Sequence, residues 1–506
     1  MRDCDPEEVK RRREECMVEL RSAKRQDRYL QKRGRRQPEP LASEDRWKRR
    51  ILEVTDDCPH LPNMSTLTFI QRFESLLSTF RDTTDTVVEE DLLGRIDTLA
   101  REQDPEPLQY MVYVGIVPKL LRYLESPRAD MALKAVVVVV NLTFASEADI
   151  FQAIVNEGGI GLLIKHISSS PEEIADHCIW ALSNMVGERD HPKLRELILE
   201  AGILEALQPL TDGLRARSPT LVQNMCWLLA NLTIDKRPLP LVYADKLCWV
   251  LQRCFATEDC TALRDCLLAV YTLTKSEGDL LPVVRQAGLL QACYAFLTHE
   301  VEFLRLEAVK CIGNFVAFAS DSAYQLLSIG LLDQLLPLVT DNSVDIQAEA
   351  LWLLSSLLAD TGHADTVIAH AVFPAVLRSM ASGSSKSRQE AIVCVHNLTC
   401  ARTVPVINSF ISNSGLELLC QSLSYPDSKV LYILLGILLN TLETATEDMA
   451  KEARDRIEPF VTALDRLLDH RNVQIKERVR KIYRLLDAQE TSTKEEMKTP
   501  SVFTFS

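Results

Sequence analysis

Long apolar runs, paired cysteines and catalytic motifs are missing from this chain of 506 residues. No apolar run reaches the ~18 residues that a membrane-spanning helix needs, because AVVVVV at 135–140 is short and follows Lys134. The start of the chain is charged and lacks the apolar core of a secretory signal. There is no P-loop, no HExxH motif and no recognisable Ser/His/Asp set. The sequence therefore predicts neither a membrane span nor an enzyme.

The 14 cysteines form no CxxC pair. Cys254, Cys260 and Cys266 recur every six residues, a spacing that suits no common zinc site. We therefore predict no metal, no cofactor, and buried free thiols in a reducing compartment. The cysteines that stand in apolar helical stretches are Cys178, Cys226, Cys266, Cys311 and Cys394.

A short motif recurs along the chain. CIWALSN ends at Asn184 and NMCWLLAN ends at Asn231, and degenerate copies place neighbouring anchor positions 41 to 47 residues apart. A period near 42 residues is typical of helical solenoids of the HEAT or armadillo kind, in which each repeat buries its apolar face against its neighbours. We predict an all-α repeat array over 66–487. The degenerate copies end at Asn141, Thr272, Asn314, Ser356, Asn397 and Asn440.

Charge is divided unevenly between a basic N-terminal arm and an acidic body. Residues 1–50 hold 17 Lys and Arg against 11 Asp and Glu, whereas the other 456 residues hold 40 against 60. The acidic body argues against nucleic acid as the main ligand. The segment 10–36, KRRREECMVELRSAKRQDRYLQKRGRR, has only a thin apolar stripe, so we expect it to order on binding an acidic partner. We predict a flexible linker at 37–65 and a disordered tail at 488–506.

The segment 10–36 resembles the importin-beta-binding segment of the importin-alpha family. The family pattern is an arginine run, then VELR and a lysine, then a terminal basic cluster. The resemblance implies that residues 1–36 bind importin-beta. Gly34 interrupts the last cluster, which in the family folds back into the cargo groove, and is expected to loosen that autoinhibition. The matching positions are Arg11, Arg12, Arg13, Val18, Glu19, Leu20, Arg21, Lys24, Lys32, Arg33, Arg35 and Arg36.

The resemblance continues along the repeats. The importin-alpha family has about ten armadillo repeats in a right-handed superhelix, with a ladder of tryptophan and asparagine along the third helices. ALDRLLDHRNVQIKERVRKIYRLL resembles the closing repeat of that family. The resemblance implies an adaptor that carries proteins with basic nuclear localisation signals and shuttles between cytoplasm and nucleus. It also implies a dedicated export receptor that grips the C-terminal repeats.

Two complete ladder pairs survive, Trp180 with Asn184 and Trp227 with Asn231, each on one helix face. Indole faces grip the stems of Lys and Arg and favour their charge, while nearby carboxylates neutralise the head groups. The resemblance therefore implies a major cargo-signal site here, although Val137 replaces the tryptophan of the preceding repeat. The other expected members of the major site are Asn141, His177, Glu188, Asn224 and Asp265.

The resemblance implies a second, more degenerate site further along. Trp352 is followed by Ser356 instead of asparagine, and Asn397 is preceded by Val393 instead of tryptophan. We therefore expect one basic cluster to bind well and a bipartite signal less well. Trp249 lies off the ladder and is expected to pack. The other expected members of this minor site are Asn314, Glu349 and Glu390, and Lys310 matches a basic position of the family.

Two alternatives remain at this point. The first is an armadillo scaffold or regulator that binds importin-beta without general cargo transport, which the lost ladder positions Val137, Thr272, Ser356 and Val393 favour. The second is a regulator that binds nucleic acid or a membrane surface through the basic residues at 10–50. A steep salt dependence of DNA binding by the arm would favour the second alternative.

Overall fold

The computed structural model describes residues 43–61, 67–145, 148–187, 193–234, 237–275 and 280–496. Within these ranges the secondary structure is helical, with 29 α-helices, five short 3-10 helices and no strand. This arrangement agrees with the predicted all-α class. The α-helices are α1 Ser43–Asp56, α2 Phe69–Asp82, α3 Thr86–Ala100, α4 Pro105–Val114, α5 Val117–Leu124, α6 Ala129–Phe144, α7 Ala148–Asn156, α8 Gly159–Ser169, α9 Glu172–Val186, α10 Lys193–Glu200, α11 Ile203–Leu207, α12 Pro219–Thr233, α13 Leu241–Cys254, α14 Cys260–Thr274, α15 Leu280–Gln286, α16 Leu289–Tyr294, α17 Glu302–Phe318, α18 Ser320–Ser328, α19 Leu331–Val339, α20 Val344–Leu357, α21 Ala364–Ile368, α22 Val372–Ser382, α23 Ser385–Thr399, α24 Val404–Ser412, α25 Gly415–Gln421, α26 Ser428–Thr444, α27 Glu447–Ile457, α28 Val461–Leu468 and α29 Val473–Glu496.

The described chain divides into two compact units, one ending at Ala292 and the other beginning at Cys293. In the N-terminal unit, α3, α6, α9, α12 and α14 pack against one another in succession. In the C-terminal unit, α17, α20, α23, α26 and α29 do the same. Within the described ranges no single helix has the length and apolar character to cross a membrane, and one bent pair, Asp321–Ser328 with Leu331–Val339, meets those criteria jointly.

The anchor positions all fall near the ends of helices of this packed series, which we call the ladder helices: α6, α9, α12, α14, α17, α20, α23 and α26. Local sequence explains where several of them begin. Ser218 caps α12 by accepting a hydrogen bond from the Leu221 amide at 3.2 Å. Asp259 caps α14 in the same way, by accepting a hydrogen bond from the Ala262 amide at 2.8 Å. Such caps satisfy amides that lack a partner within the helix.

Helix α1 lies inside the segment 37–65 that composition predicts to be a flexible linker, so that prediction is wrong for Ser43–Asp56. Trp47 is 5% exposed and Ile51 is fully buried, because they share one helix face with Val54 at i, i+4 and i+7 spacing. The Trp47 ring meets the Phe69 ring edge-on at 5.4 Å. The surrounding charged residues conceal this apolar face in the sequence.

Two further predictions can be compared with the structure. The cysteines expected to be buried are buried and form no disulfide, as is the case for most of the described cysteines, whereas Cys400 is exposed. Burial raises the pKa of the Cys420 thiol to about 12. The predicted tail at 488–506 is wrong at its start, because α29 continues to Glu496; residues 497–506 lie outside the described ranges.

Candidate functional site

Several ladder asparagines join their helix to the preceding ladder helix. In the N-terminal unit, Asn184 Nδ2 donates to Thr143 Oγ1 at 3.1 Å, and Asn231 Nδ2 donates to the Ser183 carbonyl at 3.1 Å. Their side chains are almost fully buried, with 0% and 6% of the residue exposed. Each amide therefore replaces a lost water contact with a bond between neighbouring ladder helices.

The same arrangement recurs in the C-terminal unit. Asn397 Nδ2 donates to the Ser355 carbonyl at 2.8 Å, and Asn440 Nδ2 donates to Thr399 Oγ1 at 3.4 Å. Ser356, which replaces an asparagine, instead donates to the Trp352 carbonyl of its own helix at 2.9 Å.

The acceptor oxygens of the asparagines differ in what they contact. Asn141 Oδ1 accepts from Gln103 Nε2 at 3.1 Å, and Asn440 Oδ1 accepts from Arg402 Nη2 at 3.2 Å. Asn184 Oδ1 is buried and accepts no hydrogen bond from any described residue. The Oδ1 atoms of Asn231 and Asn397 likewise accept no hydrogen bond from any residue in the described ranges. Asn231 in one unit and Asn397 in the other thus each offer an oxygen that no described donor occupies, whereas the oxygen of Asn184 is buried.

The two complete Trp–Asn pairs lie on the consecutive packed helices α9 and α12. The Trp180 and Trp227 indoles are partly exposed, as a slot for an incoming side chain requires. The His177 ring lies 6.1 Å from the Trp180 ring. Val137, at the corresponding position of α6, is 8% exposed and presents no aromatic face. Glu188 lies outside the described residues.

Buried carboxylates and amides flank these indoles. Asn224 Nδ2 donates to Asp176 Oδ1 at 2.7 Å, and Asp176 is 8% exposed. Sequence reasoning missed Asp176, although its position eight residues before Asn184 places it on the same helix face. Asp265 is 3% exposed, and its carboxylate lies 3.5 Å from the Arg264 guanidinium.

In the C-terminal unit, the predicted minor-site residues lie on α17, α20 and α23. Lys310 Nζ lies 2.6 Å from the Glu307 carboxylate, and both side chains are buried. Trp352 packs so closely on Gly313 that any Cβ there would overlap the indole. Asn314 is buried, as are the carboxylates expected to neutralise a bound cation, Glu349 and Glu390.

The structure places some of the residues singled out in the sequence differently from what was predicted. Thr272, which replaces an asparagine, shares a hydrogen bond of 2.5 Å with Thr233 and so still links α14 to α12. The expectation that Trp249 packs is wrong, because the residue is 42% exposed. The Arg253 Cζ atom lies over its ring, 4.4 Å from the ring centroid. The basic positions between Arg11 and Arg36 lie outside the described residues.

Comparison with known proteins connects these features. The model of the importin beta binding domain matches residues 2–70, and the armadillo/beta-catenin-like repeat matches residues 148–187. Importin subunit alpha-1b of Oryza sativa subsp. japonica is 25% identical over 257 residues, which cover 50% of this chain and 47% of that protein. Importin subunit alpha-2 of Caenorhabditis elegans is 25% identical over 353 residues, covering 69% and 64%. Importin subunit alpha-4 of Arabidopsis thaliana is 23% identical over 452 residues, covering 88% and 80%.

The chain is therefore similar to importin-alpha proteins, as a divergent relative with an importin beta binding domain and an armadillo repeat. A crystal structure of an engineered protein has the same fold, with a TM-score of 0.68 at 19% identity over 82% of this chain and 98% of that chain. The all-α armadillo prediction is therefore confirmed, whereas the number and handedness of the repeats stay predictions. The matched regions span about half to two thirds of the lengths of the first two importin-alpha relatives. The roles of individual ladder residues in this chain also stay predictions.

Proposed function

We propose that this chain is a nuclear import adaptor that binds basic nuclear localisation signals and links them to importin-beta. The observation that carries the proposal is the pair of partly exposed indoles, Trp180 and Trp227, on adjacent helices beside the open oxygen of Asn231. An extended peptide donates a main-chain N–H to that oxygen. Its Lys and Arg stems lie against the indole faces, where the ring quadrupole attracts the charge.

Acidic side chains of the same surface support the choice of a basic ligand. Asp176 accepts one hydrogen bond from Asn224 through Oδ1, which leaves its second oxygen to attract an ammonium or guanidinium group. A carboxylate that is mostly shielded from water interacts more strongly with such a cation than an exposed one does. Glu188 is expected to add a second negative charge. Recognition of this kind cleaves no bond, so we propose no enzymatic activity.

The basic arm supplies the second half of the adaptor. The match to the importin beta binding domain over 2–70 supports importin-beta as its partner. Without importin-beta, the tethered arm competes for the cargo groove at an effective concentration of about millimolar.

This competition can be tested by deleting residues 1–42, which retains α1 and its buried Trp47. If Gly34 weakens the competition, this deletion raises cargo affinity only slightly. A large gain would instead support strong autoinhibition. We propose shuttling between cytoplasm and nucleus, with return through the export receptor of the family.

A bridging assay tests the adaptor directly. A fluorescent lysine-rich localisation peptide is offered to immobilised importin-beta with and without the full chain. We expect the peptide to be retained only with the chain, and retention to be lost after Arg11→Glu, Arg12→Glu and Arg13→Glu. A control with the same charge change replaces three exposed body arginines by Glu, and should keep the peptide bound; these are Arg101, Arg215 and Arg471.

The scaffold alternative also has structural support. Lys310 and Glu307 neutralise each other at a ladder position, and Asn184 is fully buried in its contact with α6. These residues then stabilise the array without touching a ligand. In the bridging assay, a scaffold of this kind binds importin-beta but retains no peptide.

A further inference from the structure

The final ladder position of the chain is an arginine. Arg478 on α29 follows Trp352 by 126 residues, which is three periods of 42. It therefore corresponds to the tryptophan of a ladder pair. On the preceding helix α26, the tryptophan position is Gly436, and Tyr432 lies one turn earlier on the same face. Ladder positions of two adjacent helices thus bring together a cation, a glycine and an aromatic ring.

The Arg478 guanidinium contacts both the ring and the backbone of Tyr432. Its Cζ is 3.4 Å from the centroid of the Tyr432 ring, and Nη1 donates to the Tyr432 carbonyl at 2.7 Å. A Cβ at position 436 would lie 2.5 Å from Nη1 and 3.2 Å from His396 Cε1. Glycine is therefore required for the guanidinium to enter the space between Tyr432 and His396.

The asparagine of the same repeat is also engaged by a cation of the chain. Asn440 Oδ1 accepts from Arg402 Nη2 at 3.2 Å, and another contact of Arg402 is the Glu443 carboxylate at 3.3 Å. A second partner of Glu443 is Lys481. The aromatic face and the amide oxygen that a ladder repeat offers to a basic peptide are both occupied here by side chains of the protein.

We propose that Tyr432, Gly436 and His396 form a guanidinium-binding slot that Arg478 keeps closed. The slot takes arginine in preference to lysine, because a planar guanidinium stacks on a ring and donates in its own plane, whereas an ammonium is a compact charge. The closed slot ends the path of a bound basic peptide at α23. This last statement rests on the proposed function, whereas the slot itself does not.

The test uses the full chain with Arg478→Met, which keeps an unbranched apolar stem and removes the guanidinium. The matched control is Arg480→Met, which removes the same charge from an exposed position of α29. Two peptides are compared, one arginine-rich and one with each arginine replaced by lysine. N-acetylarginine amide is titrated separately by NMR, because it probes the slot without any groove. Thermal unfolding of each variant establishes that it is folded.

We expect Arg478→Met to bind the arginine-rich peptide about tenfold more tightly than the wild type, the effect of one good cation–π contact. The lysine peptide and the Arg480→Met variant should change less than about threefold. N-acetylarginine amide should shift resonances of Arg478→Met but not of the wild type. That last result without any peptide binding would support the slot and contradict the proposed cargo function. Equal gains for both peptides, or no arginine amide binding by folded Arg478→Met, would overturn the slot.

Discussion

The side chain of Asn231 joins α12 to α9 by donating to the carbonyl of Ser183 at 3.1 Å. Asn397 repeats the relationship in the other unit by donating to Ser355 at 2.8 Å. Each acceptor directly precedes the anchor of the preceding ladder helix. These two asparagines therefore link adjacent repeats through their amide groups, while their oxygens accept no hydrogen bond from the described residues.

Removing that clamp should destabilise the array. Asn231→Ala removes the side-chain donor to the Ser183 carbonyl, which keeps its hydrogen bond from the Gly187 amide at 3.0 Å. We expect a loss of about 0.5–1.5 kcal/mol in the free energy of unfolding, the value of one typical hydrogen bond, measurable by chemical denaturation. Asn413→Ala is the control, since the side chain of exposed Asn413, which directly follows α24, donates to the Ser409 carbonyl of that same helix at 2.8 Å. Equal stability of the two variants would contradict the clamp.

A charge-only change at Asp176 separates binding from folding. Asp176→Asn keeps an oxygen that accepts the Asn224 hydrogen bond and removes the negative charge. We expect a three- to tenfold loss of affinity for a lysine-rich peptide, about 1 kcal/mol, with little change in unfolding. Asp245→Asn, on the exposed face of α13, should leave affinity unchanged. Affinity that falls equally in both variants would indicate a long-range charge effect instead.

The periodicity of the sequence predicted the ladder helices because one motif recurs wherever the same packing is needed. It did not predict the partners of Asn184 or Asn231, since the acceptors Thr143 and Ser183 lie in the preceding repeat, and the sequence does not show which side chains of two repeats meet. Trp249 illustrates a different difficulty. Its helix places the ring outward beside Arg253, and a single aromatic residue does not reveal which face is buried.

Composition concealed α1 for a physical reason. Only one narrow stripe of that helix is apolar, and its docking depends on groups contributed by later helices. Arg95 on α3 donates to the Val54 carbonyl at 2.6 Å and to the Asp57 carbonyl at 3.3 Å. Such contacts satisfy the last carbonyls of α1, but the sequence of α1 alone does not contain them.

The docking of α1 can be tested by hydrogen exchange. Trp47→Ala removes a side chain that is buried against Phe69, and large aromatic truncations in cores cost about 3–5 kcal/mol. We expect amides at 43–61 to exchange at least ~100-fold faster, while α9 and α12 keep their protection. Leu52→Ala, at a position 37% exposed on the same helix, should have little effect. Unchanged protection in Trp47→Ala would contradict the docked helix.

Acid should weaken the N-terminal unit through His166. Burial, followed by the charge of Lys165, lowers the pKa of His166 below its ordinary value of 6.5, and its Nε2 has no hydrogen-bond partner among the described residues. The unfolded chain therefore binds the proton first, so stability falls as the pH drops from about 6.5 towards the folded pKa. His166→Gln should reduce this slope. An NMR titration that places the pKa of His166 at or above 6.5 would contradict the prediction.

Peptide binding by the paired indoles tests the central claim most directly. Binding of a fluorescent lysine-rich localisation peptide to residues 43–506 is compared for the wild type, for Trp180→Ala with Trp227→Ala, and for Trp249→Ala. We expect micromolar or tighter binding by the wild type, a loss of at least about 100-fold in the double variant, and wild-type affinity in Trp249→Ala. A folded double variant that binds like the wild type, or a wild type that binds no peptide, would contradict the cargo groove.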